Sequence, residues 1–140
     1  MTSYVTEIPA APAADAARHF QARFNYETDC WDVHHALHTK NQDFVLVDVR
    51  SRFLFEREHV PGAVNVPHAE LSQERLAAYP ADALFVVYCS GPHCNGADRG
   101  ALKLAQLGRP VKVMAGGIEG WRDEGFRFEG TQHAKQAASA

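Results

Sequence analysis

The chain has 140 residues, 46% of them hydrophobic and 22% charged, with a net charge of −3. That length suffices for one domain with its own core, and the composition is that of an ordinary soluble globular chain. No basic face is forced, which argues against nucleic acid as a partner, and no apolar run approaches the length of a membrane span. The opening MTSYVTEIPAAPAADAARHF lacks the basic leader and long apolar core of a secretory signal. Three cysteines, Cys30, Cys89 and Cys94, are a small odd number, which fits a reducing cytoplasm better than a disulfide framework.

In chain order, residues 1–14 read as a loose arm with Pro9 and Pro12. Residues 15–23 read as a helix with Ala16, Ala17, Phe20 and Phe24 on one side. Thr28 and Asp29 are good N-cap types for a helix over 30–37, whose Trp31, Val33, Ala36 and Leu37 are expected to face the core. Residues 44–49 form a fully apolar strand ending in Asp48, followed by Arg50 and a short helix that Ser51 can cap. Pro61 and Gly62 suit a type II turn into a short strand over 63–66. A helix over 71–78, closed by Pro80, precedes a second apolar strand over 84–88. After a glycine-bearing loop, Ala97, Ala101, Leu104 and Leu107 recur at helical spacing until Gly108. A last strand over 111–114 turns at Gly116 and Gly117 into a helix over 118–124 that carries Trp121, and Gly125 ends it. Residues 129–140 read as a disordered tail. Strands that alternate with helices and are uniformly apolar predict an α/β domain. Its small parallel sheet is covered by helices on both faces and has an N-terminal helical extension over 15–43.

The stretch 84–107, LFVVYCSGPHCNGADRGALKLAQL, organises this reading. Cys89 ends a buried strand and faces, across a loop, the start of a helix. Active sites of parallel sheets lie beyond the strand C-termini, so Asp48 and Cys89 can share one rim. Unpaired amides and the helix dipole favour thiolate over thiol, and the thiolate is the nucleophile. The same amides can hold an anion.

The stretches VLVDVR (45–50), HVPGAVNVP (59–67), VVYC (86–89) and GGIEGW (116–121) together resemble the rhodanese family, in its order and at similar spacing. The resemblance covers 44–128 and implies a single rhodanese-like domain. It implies sulfur transfer through a persulfide on Cys89, from a small sulfur-containing anion such as thiosulfate to a thiol or cyanide. No metal or organic cofactor is required, and a monomer or homodimer in the cytoplasm would serve. The resemblance assigns Asp48 and Arg50 a supporting role and makes the HVPGA turn with His59 structural. The expected substrate-binding residues are Ser90, Gly91, His93, Asn95, Gly96, Ala97 and Arg99, with Lys103 a further cation able to attract an anionic donor.

The loop departs from the family pattern, because it is longer and its fifth residue after Cys89 is Cys94 rather than an arginine or other polar residue. Counted from Cys94, Arg99 falls at the usual spacing. Cys94 is therefore a second candidate nucleophile, a resolving thiol, or a packing residue at the helix start. The related cell-division-cycle phosphatases use C-x5-R, which neither cysteine supplies. Arsenate reduction is a further anion chemistry for such a loop, and a non-catalytic redox-sensing or binding module using Cys89 and Cys94 is the competing class. His34, His35 and His38 lack a companion ligand set at zinc spacing, so no metal site is expected. Cys30 reads as packing, and Trp121 as a core or rim aromatic beneath the loop.

Overall fold

In the computed structural model, which describes residues 1–133, the chain begins with a single helical turn, α1 (Tyr4–Glu7), capped by Ser3. The helix α2 (Ala13–Tyr26) follows and leads directly into a short strand, β1 (Glu27–Asp29). Asp29 ends β1 and also caps α3 (Cys30–His38), its carboxylate accepting the Asp32 amide at 2.8 Å. The strand β2 (Val45–Asp48) precedes α4 (Arg52–Arg57), where the Ser51 hydroxyl accepts the Leu54 amide. The Val60–Ala63 turn closes with a 3.1 Å bond from the Ala63 amide to the Val60 carbonyl, and Gly62 takes φ +84°. That positive φ is the reason a glycine stands there. It delivers the chain to β3 (Val64–Asn65), a short 3₁₀ turn (His68–Glu70) and α5 (Gln73–Leu76). The strand β4 (Phe85–Tyr88), α6 (Gly96–Gln106), β5 (Val111–Ala115) and α7 (Gly117–Asp123) complete the domain.

The sheet has five strands in the order β1-β5-β4-β2-β3, and all its pairings are parallel. The apolar runs β2 and β4 lie next to each other, in register from Val45 beside Phe85 to Asp48 beside Tyr88. Successive residues point to opposite faces. Leu46, Val86, Tyr88 and Met114 therefore pack with Cys30 and Val33 of α3 and with Ile118 and Trp121 of α7. Val47, Val49, Phe85, Val87 and Cys89 pack with Leu71, Leu76 of α5, and with Ala97 and Leu104 of α6. Burial on both faces is why these strands are apolar throughout rather than alternating. No helix among the described residues is long and apolar enough to cross a membrane.

Several boundaries differ from the sequence reading. β1 was not foreseen, since Glu27–Asp29 becomes a strand only by pairing with Val113–Ala115. The helix expected at 15–23 starts at Ala13, inside the expected arm, and runs to Tyr26 with no buried residue. Phe20 and Phe24 stay largely exposed and line an open hollow with Thr28, Asp29 and Ala115. On α3 Cys30 and Val33 are buried and Leu37 packs partly buried against the same cluster, as expected for Val33 and Leu37, whereas Trp31 is 56% exposed and stacks on His35 one turn later. The tail expected from 129 is held at its start. Glu129 forms a two-bond antiparallel bridge with His59, and a 3₁₀ turn spans Thr131–His133. The rest of that expected tail lies outside the described residues.

Candidate active site

Cys89 leaves the end of β4 with its side chain on the α6 side of the sheet, 6% exposed, and Cys94 lies half-buried further along the loop. The Cys94 amide donates to the Gly91 carbonyl at 3.0 Å, a turn that folds the second cysteine back over the first. Both sulfurs converge on Gly96, the first residue of α6. A Cβ there would stand 2.8 Å from Cys89 Sγ and 3.5 Å from Cys94 Sγ. The Gly96 amide donates to Cys94 Sγ at 3.5 Å.

The opposite wall is the start of α7. The Ile118 amide donates to the Cys89 carbonyl at 3.1 Å and the Glu119 amide to the Ser90 carbonyl at 2.9 Å. Gly117, at φ +57°, approaches so closely that a Cβ would come within 2.3 Å of the Cys89 carbonyl oxygen. Two helix N-termini therefore grip the loop, α7 by its carbonyls and α6 at its sulfurs. This explains the paired glycines at 116 and 117, the second by a contact that a turn alone would not demand.

Burial, and then the hydrogen-bonded Cys94 sulfur, push the Cys89 thiol above its ordinary pKa. The hydrogen bond from Cys89, reinforced by the Gly96 amide, holds Cys94 below its ordinary value, although the Asp98 carboxylate opposes this. Burial thus works against the lowered pKa expected at Cys89. Two thiols coupled in this way titrate as a pair, so the first proton lost belongs to both. The remaining proton is shared between two sulfurs that lie beside Gly96, whose amide donates to Cys94 Sγ.

The sulfurs face a cleft of about 220 Å³ lined by Gly91, Pro92 and Ala97 and by the end of β5. Its charged lining residues are Glu27 and Asp98, which sequence reasoning missed. Asp98 was legible in principle, one turn into α6, but Glu27 arrives only through the β1–β5 pairing. Of the other expected binding residues, Ser90 lines a separate hollow with Arg50, Arg57 and Glu58. His93 is exposed, with its ring over buried Gly91. Asn95 accepts a 3.2 Å bond from Arg99 Nε, and both are exposed on the outer side of the helix start. Lys103 is likewise exposed.

Asp48 and Arg50 form a buried pair, with side chains 0% and 6% exposed. Arg50 donates through Nε to both carboxylate oxygens at 3.1 Å and through its terminal nitrogen at 2.8 Å, and it also reaches the Glu58 carbonyl. Burial alone would lower the guanidinium pKa, but the bonds to Asp48 outweigh it and the net direction is up. Asn65 binds the carbonyls of Asp48 and Arg50 at 3.0 Å each, and Tyr88 accepts the Val60 amide at 3.1 Å. The pair thus ties β2 to the segments beside the cysteine loop.

A second buried acid was not foreseen. Glu58 is 7% exposed and takes Arg122 of α7 and His133 of the C-terminal turn as partners. Its burial would raise the carboxyl pKa, but Arg122 and His133 together bring it below the ordinary value. Trp121 lies in the core with its indole N–H donating to the Arg127 carbonyl at 2.9 Å. His34 stacks on Phe126 at 3.7 Å and on His38 at 5.8 Å. Cys30 is bonded to the Ala115 and Gly117 carbonyls, and burial pushes it up to about 11, which leaves it inert.

Against known proteins, residues 32–124 match the family model described as the rhodanese-like domain. The chain is 39% identical over 84 residues to the HTH-type transcriptional regulator Rv0324 of Mycobacterium tuberculosis, a match covering 60% of this chain and 37% of that protein. It is 34% identical over 101 residues to the adenylyltransferase and sulfurtransferase UBA4 of Meyerozyma guilliermondii, covering 66% and 23% respectively. The chain therefore spans well under half of either relative. The crystal structure of the BH2092 protein of Bacillus halodurans superposes with a TM-score of 0.83 at 35% identity, over 86% of this chain and 88% of that one. The thiosulfate sulfurtransferase of Pseudomonas aeruginosa shares the fold, with a TM-score of 0.65 at 24% identity, over 84% of this chain and 22% of that one.

Proposed function

The chain belongs to the rhodanese-like domain family, and from that premise we propose that it is a sulfurtransferase working through a persulfide on Cys89. The donor is a sulfane-sulfur anion such as thiosulfate, and the acceptor is a thiol or cyanide. The observation that carries this reading is the pair of cysteine sulfurs that converge on Gly96 at the start of α6, one of them at the strand end.

Once the pair has lost one proton, the two sulfurs share the one that remains. As Cys89 attacks the outer sulfur of thiosulfate, its proton passes to Cys94. A new S–S bond forms on Cys89, and sulfite departs with the electron pair of the old one. The persulfide's outer sulfur carries the negative charge, which the preorganised loop amides stabilise. The acceptor then takes that outer sulfur and returns the electron pair of the S–S bond to Cys89. Asp48 and Arg50 hold the rim in shape rather than touching substrate.

The test is thiocyanate formation from thiosulfate and cyanide. Wild type turns over, and Cys89→Ser falls to background while remaining folded. Full activity in Cys89→Ser would sink this reading. A second reading, a dithiol redox module, draws on the same sulfur pair. Reversible loss of two hydrogens on mild oxidation, with no turnover, would support it instead.

A further inference from the structure

We propose that Cys94 is a resolving thiol that discharges the Cys89 persulfide as hydrosulfide and closes a Cys89–Cys94 disulfide. On this account the domain reduces sulfane sulfur as well as relaying it. The inference rests on the persulfide reading above and adds a second outcome for the same intermediate.

Three observations converge on it. The two sulfurs flank the same point at Gly96, 2.8 and 3.5 Å from where its Cβ would stand, so the second thiol needs no approach from solution. The Cys94–Gly91 turn keeps it there, at the start of the cleft into which a persulfide on Cys89 extends. Their exposures are unequal in a useful sense, because Cys89 is nearly enclosed whereas Cys94 is half-buried. An external thiol that must reopen the disulfide can therefore reach Cys94. Cys30, bonded to the Ala115 and Gly117 carbonyls, is committed to packing.

The chemistry balances without an added oxidant. After the first step the pair consists of the Cys89 persulfide anion and the protonated Cys94 thiol. The Cys94 proton passes to the outer persulfide sulfur, and Cys94 attacks Cys89 Sγ. The Cys89–S bond to the outer sulfur breaks, hydrosulfide leaves with its electron pair, and the Cys89–Cys94 bond forms. Over both steps one thiosulfate and two cysteine thiols give sulfite, hydrogen sulfide and one disulfide. The sulfane sulfur is reduced and the two cysteines are oxidised. Two equivalents of a small thiol such as glutathione then reset the site: the first forms a mixed disulfide on Cys94 and frees Cys89, and the second frees Cys94 and leaves with the first as their own disulfide.

The experiment adds thiosulfate to the reduced full chain with no thiol or cyanide present. It reads sulfite, hydrosulfide and intact protein mass, on wild type, Cys94→Ser and Cys94→Ala. Wild type should release hydrosulfide in step with sulfite and lose two hydrogens of mass. Both variants lack the Cys94 proton acceptor, so sulfite release should slow, but each sulfite released should leave one added sulfur on the protein, with hydrosulfide appearing only when a thiol is supplied. Sulfite release with retained sulfur and no hydrosulfide from wild type itself overturns the resolving role while leaving the persulfide reading intact. No sulfite from any of the three overturns the persulfide reading, and the inference with it. Because wild type decides the first question alone, a poorly folded variant does not blunt the test.

Discussion

Gly96→Ala is the sharpest probe of the sulfur pair. The added methyl would sit 2.8 Å from Cys89 Sγ, where an ordinary contact begins near 3.4 Å, and 3.5 Å from Cys94 Sγ. Relief needs about 0.6 Å of movement, and the backbone of α6 is fixed by its own ladder, so the Cys89 side chain must give way. Overpacking of this kind costs about 1–3 kcal/mol. Alanine's better helix propensity returns at most about 1 kcal/mol. The net loss of stability is therefore about 0–3 kcal/mol, too little to unfold the chain. Sulfur transfer responds more, because the displaced sulfur loses its placement beside Cys94 and the start of α6, and misplacement by about 1 Å can cost on the order of 100-fold. We expect sulfite release to slow at least ~10-fold, a barrier increase of about 1.4 kcal/mol. Thermal unfolding should confirm the fold, and single-turnover sulfite release should give the rate. A folded Gly96→Ala chain with wild-type kinetics would refute the convergence of the two sulfurs on this residue.

Three further outcomes follow from the buried charges and the thiols. Asp48→Asn leaves the buried Arg50 without its countercharge and should cost about 3–5 kcal/mol in denaturant unfolding. Replacing both Asp48 and Arg50 by apolar residues should cost less than the separate losses added together, and strict additivity would contradict their coupling. Glu58 has a lowered folded-state pKa. Its contribution is fully present above the ordinary value of 4.5 and is lost as pH falls from there through the folded value. The slope of melting temperature against pH in that acidic window should be shallower in Glu58→Gln, and an unchanged slope would contradict the clamp. With iodoacetamide on native protein at rising pH, Cys94 should be labelled first, Cys89 later and Cys30 last. Peptide mapping checks that order, and early labelling of Cys30 would contradict its burial.

The central strands were legible because burial on both faces writes itself as unbroken apolar runs, as in Val45–Asp48 and Phe85–Tyr88. Local chemistry was equally plain where it acts over a few residues, as at the Ser51 and Asp29 caps and the Gly62 turn. Features created by distant pairing were not. Glu27–Asp29 is a strand only beside β5, and Glu129 is held only by His59. Glu58 reads as one more surface acid in REHV until Arg122 and His133 close on it. At the site, the strand–loop–helix pattern marked the cysteines and the glycine between them and α6. The direction of the proton shift was hidden, because it depends on which sulfur is the more buried, and loop length alone does not reveal that. The apolar residues of α2 misled for a related reason. Phe20 and Phe24 share a helix face, but it borders an open hollow beside β1 and β5 rather than a closed core.

The most direct measurement of the central claim is where a transferred sulfur resides. Wild type, Cys89→Ser and Cys94→Ser would each be exposed briefly to thiosulfate, trapped with an alkylating agent and weighed intact, then mapped by peptide. The account predicts one added sulfur on Cys89 of the Cys94→Ser chain and none on Cys89→Ser. An added sulfur on Cys94 of the Cys89→Ser chain, with none on Cys94→Ser, would contradict it and move the nucleophile to the helix start.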